Sequence, residues 1–225
     1  MTSAIFTEPA DFDLDTLREL GPLAPLAGTW EGEGSDRHPV AVGGETQSYI
    51  ERMVFEPIDP QTNGPQLLYG LRYHVHIRRR GERLTFHDQV GYWLWEPATK
   101  TLQEAVAIPR GEVLLARGIA EPDARTFSVR AILGSPTAGI VSSQFLNRNF
   151  LTLEYEMTVF VESHGFRYEQ DTLLQIAGRG EPFHHIDRNT LKRVAAPRPN
   201  PAAVVKDPRD DVTTGLKRVL RRDDR

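Results

Sequence analysis

From Pro25 to Val194 apolar and polar side chains alternate with the period of two that half-buried strands require. Ten segments carry the pattern: Pro25–Gly34, Thr46–Ile58, Leu67–Arg80, Leu84–Glu96, Leu102–Ile108, Glu112–Gly118, Arg125–Leu133, Phe150–Glu162, Phe166–Ala177 and Phe183–Val194. Proline, glycine or aspartate bounds each of the short ones, and Ser163-His164-Gly165 makes a tight turn. Before them, Leu14, Leu17 and Leu20 are spaced for one helical face, with Asp11 and Asp13 as N-cap candidates and Gly21-Pro22 as the stop. Gly134–Asn149, rich in Gly, Ser and Asn, reads as a rim loop.

Strands at hairpin spacing without intervening long helices predict an antiparallel meander. About ten of them with one short helix favour closure, which removes exposed edges. The fold class expected is therefore all-β: an up-and-down closed β-barrel of the lipocalin (calycin) type, with the N-terminal helix plugging one end or packing outside. A barrel of this size can enclose a small-ligand cavity. The expected organisation is a flexible leader (1–10), the barrel (11–194) and a disordered tail (195–225). The tail is rich in proline and charge, and Val212–Arg222 is its one stretch that could form a basic amphipathic helix.

Composition narrows the chemistry. The 225 residues contain no cysteine, which removes disulfides, thiolate metal sites and cysteine nucleophiles. A net charge of −4 supplies no general field for nucleic acid. No apolar run reaches the roughly 20 residues a membrane helix needs, and the acidic start lacks the marks of a signal peptide. A cytoplasmic location is expected, with no nucleic-acid or membrane partner; a homodimer is compatible with the reading. Nucleophile elbows, Walker loops and dinucleotide fingerprints are absent, so no catalytic residue is assigned.

Gly28, Gly32 and Gly34 in one strand remove side chains where the strand bends or another group comes close, and Trp30 between them suits the barrel floor. Together they spell G-x-W-x-G-x-G, the signature of the nitrobindin family of haem-binding β-barrels, which the chain resembles. Tyr49–Phe55 (YIERMVF), Phe86–Tyr92 (FHDQVGY) and, more loosely, Ala107–Val113 (AIPRGEV) are similar to family segments in the same order. The resemblance runs from about Gly21 to Val194.

It implies haem b held by a histidine of the closing strand, within P-x-x-x-H-L. Here the run is Pro182-Phe183-His184-His185-Ile186. Counting from Pro182 puts the ligand position on Ile186, with His185 one residue early, and in a strand that offset changes face unless a bulge restores it. The family's Y-P-T beside the haem is replaced by His38-Pro39-Val40, which leaves His38 as a rim imidazole; His87 matches a family histidine near the pocket. His185 is the candidate iron ligand, with His38 and His87 as further cofactor contacts. His185, Asp187 and Asn189 share one face, either a polar lumen or solvent. His74 and His76 alternate with arginines on what reads as a solvated basic face.

Three functions follow. The resemblance implies a haem barrel that binds nitric oxide and isomerises peroxynitrite to nitrate. A haem-free barrel for a small hydrophobic or amphipathic ligand ranks second. An interaction module ranks third.

Overall fold

Twelve strands realise the alternation in the computed structural model, which describes residues 4–204. They are β1 (Gly28–Pro39), β2 (Gly44–Pro57), β3 (Gln61–Asn63), β4 (Gln66–Arg78), β5 (Thr85–Glu96), β6 (Thr101–Ile108), β7 (Glu112–Ile119), β8 (Thr126–Ile132), β9 (Ile140–Ser142), β10 (Phe150–Val161), β11 (Gly165–Ile176) and β12 (Phe183–Ala195). Ten of them make the wall. Around it run β1, β2, β4, β5, β6, β7, β8, β10, β11 and β12, each antiparallel to the next, and β12 pairs back onto β1. The sheet therefore has no free edge along its circumference. β3 is a stub on β4, and β9 pairs with Glu112–Leu114 of β7.

Alternation sends one side chain in two inward. Tyr49, Glu51, Met53 and Phe55 of β2 are buried, as are Tyr73, Val75 and Ile77 of β4. The inner face of β12 continues this set with Asn189 and Leu191.

The predicted N-terminal helix is shorter than its leucine spacing implied. α1 (Thr16–Glu19) is a single turn capped by Asp15, whose carboxylate accepts from the Leu17 amide at 3.2 Å. Leu14 stays outside it and exposed. A 3-10 helix, Gly21–Leu26, follows, because Pro22 and Pro25 remove two amide donors. Leu20, Leu23 and Leu26 are fully buried and close the floor of the barrel. Gly21 holds the turn at φ +54°, where a Cβ would lie 2.6 Å from the Trp95 indole. Trp30 completes the floor: its Nε1–H donates to Leu26 O at 2.7 Å and its ring meets Phe166 edge-on at 4.9 Å. Removing a side chain of that size from a core costs about 3–5 kcal/mol. At Gly34 a Cβ would stand 2.5 Å from the Tyr49 ring and 2.7 Å from Arg188 O, so the wall needs glycine there.

Two other expectations change. Gly134–Asn149 contains β9 and α2 (Gln144–Asn149), capped by Ser143, so only its first part is loop. The segment after β12 returns to the floor: Asn200 is buried and ties Thr16 N (3.0 Å), Leu14 O (2.8 Å) and Asp59 Oδ1 (2.8 Å) together. Residues 205–225, with the basic stretch expected in the tail, lie outside the described residues. In the leader, Ala4–Phe6 forms an exposed 3-10 turn. Among the described residues no helix is long and apolar enough to cross a membrane.

Candidate functional site

The floor is solid, but the barrel is not filled to the top. A cavity of about 460 Å³ occupies the opposite end, within the range of pockets that take drug-sized ligands. Met53, Phe55, Val75, Ile77, Trp93 and Met157 give it apolar walls. Its mouth is ringed by Arg79 and Arg110 and by Phe145 and Leu146 of α2.

Of the three candidate positions on β12, only His185 lines this cavity. His184 faces out and bonds Asp171 Oδ2 at 2.7 Å, and Ile186 lies opposite Asp171 across β11. β12 pairs with β11 without a bulge over Phe183–Leu191, so plain alternation sets the direction. His185, Asp187 and Asn189 do share a face, and it is the lumen side. His38 and His87 also line the cavity. His74, exposed, and His76, half-buried, lie on the outside, against Asp88 and Thr85.

The His185 ring is held rather than free. Its Nε2–H donates to Asp36 Oδ1 at 2.9 Å, and Asp187 Oδ2 is 3.6 Å away. Burial pulls the imidazole pKa down, but the bond to Asp36 and the charges of Asp187 and Asp36 outweigh it, and the net shift is upward. Burial also opposes the charge of Asp36, yet its bond to His185, with help from Gln47 and His38, brings it below the usual carboxylate range. Asp187 is pushed up to about 7 by burial, with His185 opposing and Asp36 adding to the rise. Asp36 and Asp187 are direct cross-strand neighbours, a placement in which like charges repel.

Two further acids face inward at greater depth. Glu104, buried, accepts from Tyr155 at 2.9 Å and Tyr73 at 3.2 Å; burial raises its pKa to about 7 against the pull of those bonds. Glu51, also buried, accepts from Asn189 (2.6 Å) and Tyr168 (2.9 Å), and burial raises it to about 8. Hydrogen bonds connect the first of these to the mouth. His87 Nε2–H donates to Gln89 Oε1 (3.2 Å), Gln89 donates to the Tyr73 hydroxyl (2.7 Å), and Tyr73 donates to Glu104. Burial lowers the His87 pKa, which favours the neutral ring.

Sequence reasoning missed Asp36, Glu51 and Glu104. A signal existed: Glu51 stands in register with Tyr49, Met53 and Phe55, Glu104 with Leu102 and Val106, and Asp36 with Trp30. A carboxylate at an inward position of an apolar register must be paired, protonated or functional.

A closed antiparallel barrel with a deep, partly polar cavity lined by imidazoles is a calycin-type fold. Residues 19–193 match the family described as the THAP4-like, heme-binding beta-barrel domain, and the chain belongs to that family. It is 27% identical over 180 residues to "Peroxynitrite isomerase 2" of Mycobacterium marinum, covering 79% of this chain and 93% of that protein. The protein of the same name from Mycobacterium ulcerans is 26% identical over the same length and shares. Among solved structures, "Crystal Structure of Rv2717c from M. tuberculosis" superposes with a TM-score of 0.55 at 17% identity, over 80% of this chain and 99% of that one, a likeness of fold.

Haem, the group this family implies, can be tested against the residues present. The cavity has an apolar wall for a macrocycle and guanidinium groups at its mouth for carboxylates. His185 offers an imidazole whose ring is oriented by a carboxylate, the support a metal-bound histidine usually has. The residues fit on these counts.

Proposed function

We propose that the barrel binds haem b in this cavity, with His185 holding the iron and Asp36 fixing the ring that does so. The observation that carries the reading is the direction of His185: among the three candidates on β12 it alone faces the cavity. Bound there, haem supplies a Lewis-acidic iron with a position open to a small ligand. The chain's own part is to exclude water with α2 and the aromatic walls, to orient the imidazole through Asp36, and to meet the propionates with Arg79 and Arg110. His38 and His87 contact the cofactor at the rim. The names of the mycobacterial relatives support peroxynitrite isomerisation as the activity, and the resemblance to the nitrobindin family adds nitric oxide as a second ligand.

Hemin titration of the purified protein tests this. The expected result is a saturable Soret band that is lost in His185→Ala and kept in His184→Ala. A wild-type protein without that band, or a band unchanged in His185→Ala, removes the proposal.

One observation favours a second reading, a haem-free barrel for an amphipathic ligand. Glu51, Glu104 and Asp187 put three high-pKa carboxyl groups on the cavity wall, and as neutral acids these can donate hydrogen bonds to a polar head group. Native mass spectrometry showing a co-purified organic ligand, together with no hemin binding, distinguishes it.

A further inference from the structure

The cluster at the mouth has more donors than an oriented histidine needs. Asp36, His185 and Asp187 place one ligand atom each within 4.8 Å of one another, a little wider than the roughly 4.4 Å that separates opposite donors around a single ion with bonds of about 2.0–2.2 Å, so a small inward movement of the side chains would close them on it. The three come from two adjacent strands paired in a fixed register, so the barrel wall sets their spacing in advance. Asp36 and Asp187 face each other directly across that pair, one of them 4% exposed, with a single imidazole between them. A second imidazole points at the same place. His38 Nδ1 lies 3.2 Å from Asp36 Oδ2, is buried, and makes no hydrogen bond. A buried ring nitrogen that makes no hydrogen bond and stands against a carboxylate of the cluster adds a further donor to the set.

We propose that Asp36, His185 and Asp187, with His38 beside them, form an open site for a bare divalent transition-metal ion on the lumen wall. Mixed imidazole and carboxylate donors suit Zn²⁺, Fe²⁺ or Mn²⁺ better than soft ions. All the donors lie on one wall, so the remaining coordination positions face the cavity, as in metal sites that bind a substrate. The inference does not rest on haem binding. Because His185 serves both, an ion and haem exclude each other, and the metal would gate haem loading.

The test uses untagged, haem-free, full-length protein. Co²⁺ is titrated by its visible d–d absorption and Zn²⁺ by calorimetry, in wild type and in Asp187→Asn, His185→Ala, His38→Ala and the outer-face His74→Ala. The expected result is one equivalent bound, weakened tenfold or more in Asp187→Asn and His185→Ala, weakened less in His38→Ala, and unchanged in His74→Ala. Zn²⁺-loaded wild type should also fail to develop a Soret band at one equivalent of hemin. Circular dichroism confirms that each variant keeps its strands; where Asp187→Asn does not, His38→Ala and the hemin competition still decide. No binding in wild type, equal binding in folded Asp187→Asn, or loss in His74→Ala instead overturns the proposal. Hemin titration without metal is scored separately, so either reading can fail alone.

Discussion

Glu104 offers the sharpest energetic test of the lumen. It is 1% exposed and sits among Tyr73, Tyr155 and Gln89, and among the described residues it has no ion-pair partner. Burial raises its pKa from 4.5 to about 7. Between those two values the native protein binds a proton that the unfolded chain has released, so stability falls as pH rises. The contribution is whole below about pH 4.5 and is lost as pH passes about 7; at 1.36 kcal/mol per unit it amounts to roughly 3 kcal/mol. Glu104→Gln keeps the shape, removes the titration and leaves an oxygen to accept from Tyr155. Urea unfolding followed by the fluorescence of Trp30, Trp93 and Trp95, all buried, should give nearly equal stabilities at pH 5. At pH 8 the variant should exceed wild type by up to about 3 kcal/mol. Glu51 titrates in both proteins and drops out of the difference. Parallel stability curves from pH 5 to 8, or a variant that loses more than wild type at the alkaline end, would refute the reasoning.

Gly34→Ala should destabilise by about 1–3 kcal/mol in urea unfolding, because its Cβ meets the Tyr49 ring and Arg188 O. Asn200→Ala leaves the Thr16 amide and Leu14 carbonyl unpaired at the floor; a loss of about 1–3 kcal/mol should appear, with hemin affinity unchanged because the mouth lies at the other end. His184→Ala should change neither the unfolding midpoint nor the Soret titration, since that ring is exposed on the outer face.

The barrel was legible because its cause is local: period-two alternation with turn residues specifies each strand and its inward face. All ten wall strands stand within a few residues of where the pattern put them. What the alternation could not settle was which face of β12 looks inward, since His185, Asp187 and Asn189 are as polar as a solvated edge. That depended on the neighbours, with Asp36 and Gln170 placed across from Asp187 on the flanking strands. α2 was hidden because Ser143 and Asn147 read as loop residues, while its support, the capping bond from Leu146 N and the packing of Phe145 near Phe150, is local geometry and tertiary contact. The return of Asn200 to the floor rests on partners more than 140 positions away, beyond the reach of any local signal.

Anomalous diffraction at the iron edge, from crystals of the hemin-treated protein, tests the central claim most directly. An iron peak inside the barrel, bonded to a ring nitrogen of His185 with Asp36 still against that ring, is the predicted result. Iron bound elsewhere, whether on His38, His87 or the outer His74 and His76, would contradict it, as would a cavity without iron beside an occupied external site.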